Sequence, residues 1–131
     1  MKLVLAAATT LFLAPVMGSA QDVENGTALY DQHCAVCHGA DARGKGPLAP
    51  ALIVQPPSLT ELTKRNDVFP TVRVVQRIDG SDPLVAHGSP MPIYGPFFEE
   101  KDAVIKSESG QPIMTSIPIA DLVAYLKHVQ E

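Results

Sequence analysis

The 131-residue sequence has no tryptophan, and aromatic residues make up only 5% of it. A core built in the ordinary way would be short of large side chains. There are two cysteines, too few for a disulfide-stapled scaffold. Basic residues are scarce as well: 10 Lys and Arg stand against 14 Asp and Glu, a formal charge of −4. That balance argues against a nucleic-acid partner, because neutralising phosphate needs a basic footprint. Charged residues are 18% of the chain against 46% hydrophobic, which argues against a disordered polyelectrolyte. No period-2 alternation is sustained, so strands are expected to be few or absent. What the chain does have is 12 prolines, 9 glycines and one short cysteine motif.

The first twenty residues read as an address. Lys2 precedes an apolar stretch from Leu3 to Val16, and Gly18-Ser19-Ala20 follows with small residues. This is the pattern of a secretory signal, with predicted cleavage after Ala20. The apolar run falls short of the roughly 20 residues that a bilayer span needs, and no other segment qualifies. No cysteine stands at the cleavage point, as a lipoprotein signal would require. The expected organisation is therefore a cleaved signal over 1–20 and a single soluble domain over 21–131. Losing Lys2 makes the exported product one charge more negative.

In the remaining chain, Val23, Gly26, Leu29, Tyr30 and His33 recur at spacings of three and four. They predict an amphipathic helix ending near Cys34. Residues 39–57 have the composition of an ordered loop, including Gly44-Lys45-Gly46-Pro47 and Pro56-Pro57. Ser58 with Glu61 reads as a capping box for a short helix carrying Leu59 and Leu62. Pro70 fits the first turn of another helix, with Val74, Val75 and Ile78 as its stripe and Gly80 just past its end. Residues 82–96 are again loop, and the polar stretch 99–111 is expected to be solvent-exposed. Pro118 opens a final helix with Ile119, Leu122, Val123, Leu126 and Val129 on one face. The fold class expected is all-α: three to four short helices joined by long Pro/Gly-rich loops. Loops of that length in a compact domain imply something to wrap.

Cys34-Ala35-Val36-Cys37-His38 supplies that something. C-x-x-C-H is the attachment signature of a c-type haem. Two thiols three positions apart on one turn can add to the two vinyl groups of a haem, and the adjacent His38 then falls beneath the iron. Other readings fit less well. A thioredoxin-like pair sits at a strand-to-helix junction, whereas the segment upstream here is helical. A Cys34–Cys37 disulfide would close a tiny strained loop. A zinc site would need a second ligand pair, and only His33, His87 and His128 are available.

With this motif the chain resembles the class I monohaem cytochromes c, particularly the small bacterial periplasmic ones. The likeness covers the whole of 21–131: an N-terminal helix running into C-x-x-C-H, the Gly44–Pro50 loop, Met91-Pro92 in the second half, and an apolar last helix with Tyr125. The resemblance implies one covalently attached haem c, with Cys34 and Cys37 in thioether links and His38 as proximal ligand. It implies Met91, held between Pro90 and Pro92, as distal ligand, with Met114 and His87 as the alternatives. A proline carbonyl would accept the proximal histidine's Nδ1–H, and Pro47 is the best positional match. Gly26 and Tyr30 would pack against Tyr125. Arg43, Lys45, Arg73 and Arg77 read as surface charges, with a haem propionate as their alternative partner.

The implied function is a periplasmic electron carrier rather than an enzyme, a monomer docking transiently on redox proteins. Two alternatives remain: a dedicated cytochrome subunit of a periplasmic dehydrogenase or oxidase, docking through 99–111, and a five-coordinate haem sensor.

Overall fold

The computed structural model describes residues 21–85, 88–98 and 100–131; the signal reading over 1–20 and His87 lie outside them. Among the described residues, five α-helices and one hairpin follow in chain order: α1 (Val23–His33), α2 (Ala35–His38), α3 (Leu62–Asn66), α4 (Thr71–Asp79), β1 (Ala103–Lys106), β2 (Pro112–Thr115) and α5 (Ile117–His128). The all-α expectation holds, with the hairpin as a small addition.

Helix α1 starts where Asp22 accepts hydrogen bonds from the backbone N–H groups of Glu24 and Asn25, an N-cap that satisfies otherwise orphaned donors. It ends at Cys34, as its periodicity predicts. Helix α5 is capped by Ser116 and carries Pro118 in its first turn. Eight consecutive residues of α5, Ile119 to Leu126, are buried, so this helix is the centre of the core. Helices α1 and α5 cross at Gly26, where a Cβ would lie 2.1 Å from the Asp121 carbonyl oxygen. Only a residue without a side chain permits that approach. One turn on, the Tyr30 and Tyr125 rings meet at 4.7 Å, the packing that the resemblance implies.

Helix α4 buries Val74, Val75 and Ile78 and stops at Gly80 (φ 84°), also as expected. Its start differs by one residue, with Pro70 flanking the helix. Two expectations need correction. Ser58 caps nothing: its hydroxyl bonds that of Thr60, and the helix begins only at Leu62. The Ser58 hydroxyl is engaged by Thr60 rather than by a backbone N–H of a first turn, and the Leu59 N–H ties the segment to the Ala42 carbonyl at 2.7 Å. The stretch 99–111 is not uniformly exposed. Ala103 and Ile105 alternate inward to the core while Val104 and Lys106 face out, so 103–106 is a strand that pairs antiparallel with 112–115 just past this stretch, with Val104 opposite Met114. In the turn of this hairpin, the Glu108 carboxylate accepts the Val72 N–H in the first turn of α4.

Candidate haem site

The motif sits at a corner of the backbone. Cys34 ends α1 by donating its N–H to the Tyr30 carbonyl, and it starts α2 by accepting from the N–H groups of Cys37 and His38. The two cysteines therefore share one helical turn, and both are free thiols, half-buried. Burial and the neighbouring Cys37 push the Cys34 thiol up to about 11, so it stays protonated at neutral pH.

The glycine loop then folds back along α2. Gly44, Gly46 and Leu48 donate to the carbonyls of His38, Cys37 and Val36, which would otherwise be orphaned at a helix end. A Cβ at Gly46 would come within 2.5 Å of the Val36 carbonyl oxygen, so the loop can lie this close only with glycine there. Pro47, within this return, is exposed. The carbonyl facing His38 Nδ1 belongs instead to Pro57, at 3.4 Å. Pro57 corrects the expectation of Pro47. It arrives there because Gly44 packs against the Pro56 backbone, where a Cβ would be 2.2 Å from the Pro56 oxygen. With Nδ1 turned to a carbonyl, Nε2 is the nitrogen left for a metal. Burial lowers the His38 pKa, with the Pro57 carbonyl opposing, and so favours the neutral ring that coordination requires.

The two methionines differ in setting. Met91 is half-buried against the core, with its N–H on the Ser89 hydroxyl. Met114 is 55% exposed on the outer face of β2. Three residues after Met91, Tyr94 ties this loop down twice. Its hydroxyl donates to the His33 carbonyl at 2.7 Å, one residue before Cys34, and its N–H donates to the Ile78 carbonyl at the end of α4. Burial raises the Tyr94 phenol pKa, as do the nearby Cys34 and Cys37. The ring belongs to an aromatic group with His33, Phe97 and Phe98. Sequence reasoning missed Tyr94, whose partner lies 61 positions away; the only local signal was an aromatic closing the Met-Pro loop.

Of the four basic residues considered for propionates, Arg43 pairs with Glu131 and Arg77 with the buried Asp82 at 2.9 Å. Lys45 and Arg73 are exposed. Large apolar side chains also face outward around the motif and the Met91 loop: Leu48, Ile53, Val54, Leu84, Ile93 and Phe97. Among the described residues no group of three or more His, Cys, Asp or Glu side chains converges as a metal-ion cage.

Two free thiols on one turn, a buried histidine oriented through Nδ1 and a half-buried thioether on a tethered loop form a donor set that fits a covalently held haem. A helical shell with these donors describes a c-type haem protein. The family model for cytochrome c matches residues 23–130, and the chain belongs to the cytochrome c family, whose members bind covalently attached haem c and transfer electrons. No curated protein and no solved structure matches the chain.

Proposed function

We propose that the protein is a periplasmic electron carrier in which His38 and Met91 are the axial ligands and Cys34 and Cys37 hold the haem through thioethers. The observation that carries this reading is the Tyr94–His33 bond, which brings the Met91 loop against the residue preceding the cysteine motif. The haem supplies a one-electron couple, Fe(III)/Fe(II). The chain's own residues do the rest. His38 is held neutral by burial and oriented by the Pro57 carbonyl, and Met91 is presented on a loop stiffened by Pro90 and Pro92. With His38 and Met91 both holding the haem iron, a small molecule would have no free place on it. Outward apolar side chains on the 48–54 and 84–97 loops provide hydrophobic cover for the macrocycle and for a docked redox partner. A thioether ligand and a water-poor setting both raise the reduction potential relative to bis-histidine ligation.

Export rests on the signal pattern over 1–20. Among the described residues no helix is long and apolar enough to cross a membrane, which is compatible with a protein free in the periplasm. The acidic balance favours steering toward basic partners.

One observation favours a second reading, a cytochrome subunit held by a periplasmic dehydrogenase or oxidase. The hairpin displays the exposed pair Val104 and Met114 side by side. Carbon monoxide distinguishes a carrier from a sensor. The ferrous protein at neutral pH is expected to bind it slowly and incompletely; rapid, complete binding would contradict the carrier reading. Co-purification with one enzyme under mild conditions would favour the subunit.

A further inference from the structure

The junction of α1 and α5 holds a residue pair with chemistry of its own. Asn25-Gly26 is the dipeptide in which backbone nitrogen attacks a side-chain amide most readily, because glycine offers no Cβ to hinder the approach. We propose that Asn25 is a deamidation site kept closed by Asp121 in the folded protein, and that it opens only when the first turn of α1 leaves α5.

The reaction needs nothing but water. The Gly26 nitrogen, losing its proton, bonds to Asn25 Cγ, and the Asn25 Nδ2 departs as ammonia, leaving a succinimide. Water then adds to one of the two ring carbonyls and breaks its C–N bond, giving aspartate or isoaspartate at position 25. No electron changes hands.

The fold blocks the ring closure that begins that sequence. The Gly26 N–H is committed to the Asp22 carbonyl at 2.9 Å, and the helical backbone holds the nitrogen away from its own neighbour's side chain. The Asn25 Nδ2 donates to Asp121 Oδ2 at 2.8 Å, while the other oxygen of Asp121 accepts the Asp22 N–H at 2.8 Å. Asp121 is buried, so these bonds form in a setting where losing them is costly. Asn25 itself is exposed, and water is at hand.

The same packing explains why so vulnerable a pair stands there. Gly26 is required by the approach to the Asp121 carbonyl, and the buried Asp121 carboxylate needs donors, of which Asn25 is one. Conversion of Asn25 replaces a donor with a second carboxyl group facing Asp121. The modification would therefore keep the junction from closing again, marking chains that have opened. This inference is independent of the haem ligands.

The test is incubation of the haem-loaded protein at mildly alkaline pH, followed by peptide mapping for the mass gain of amide-to-acid conversion at position 25. Folded wild-type protein is expected to retain Asn25 while urea-unfolded protein converts. Asp121→Ala is expected to convert at least severalfold faster than wild type with its haem spectrum intact. If that variant does not fold, Asp22→Ala, which removes the cap of the same turn, is expected to accelerate conversion in the same way. Conversion of folded wild type at the unfolded rate would overturn the proposal, as would a folded cap or Asp121 variant converting no faster than wild type.

Discussion

The α1–α5 corner and the Met91 loop are built on opposite terms. At the corner, apolar side chains meet one another: Tyr30, Leu122 and Val123 are all at most 2% exposed, and even the polar Asp121 has its partners within the protein. Around the Met91 loop, Leu84, Ile93 and Phe97 face outward, and the loop is held mainly by backbone hydrogen bonds and by Tyr94. The difference teaches a division of labour. Burial among protein side chains supplies stability at the corner, whereas the loop side leaves large apolar side chains facing out, where the proposed haem and its Met91 ligand would use them as cover. Mutations at the corner should therefore change stability and leave the ligand field alone. Mutations at the loop should do the reverse.

The largest break is expected at Gly26. Gly26→Val puts a side chain where the Asp121 carbonyl oxygen is only 2.1 Å from a Cβ, so the helices must part. A loss of about 3 kcal/mol or more is expected, read as a fall in thermal midpoint with the spectrum of the remaining folded protein unchanged. Tyr30→Phe acts at the same corner more mildly. It removes the hydroxyl that bonds the Gly39 carbonyl at 2.7 Å and should cost about 1 to 2 kcal/mol in denaturant unfolding.

Tyr94→Phe sharpens the comparison from the other side. The ring stays but the bond to His33 is lost, so stability should fall by only about 1 kcal/mol. Displacement of the distal ligand by added imidazole should nevertheless become severalfold faster. A variant with lowered stability and an unchanged displacement rate would place Tyr94 with the corner, not the loop. The smallest effect is expected at Glu108→Gln. The exposed carboxylate bonds the start of α4, and its neutralisation should cost about 0.5 kcal/mol, more at low salt than at high.

The two regions were also unequally legible in the sequence. Helices α1, α4 and α5 follow from local signals: a three-to-four spacing, a proline at the start, a glycine past the end. The attachment motif is local too, five residues on one turn. What escaped depends on contacts far along the chain. Pro57 reaches His38 across 19 positions because Gly44 folds the loop over it. The counting that favoured Pro47 could not register that path. Tyr94 acquires its role from a carbonyl in α1. The strand at 103–106 escaped within a polar stretch because only one face of its four residues is buried, and its pairing partner at 112–115 is itself a short segment. Ser58 had the composition of a cap, but its hydroxyl bonds that of Thr60 and not a backbone N–H.

The central claim is that the Met91 loop presents the distal ligand to a haem held at Cys34, Cys37 and His38. The weak near-infrared sulfur-to-iron band of the ferric protein tests it directly. The band is expected in wild type, lost in Met91→Ala and retained in Met114→Ala. A band that survives Met91→Ala and disappears in Met114→Ala would contradict the assignment.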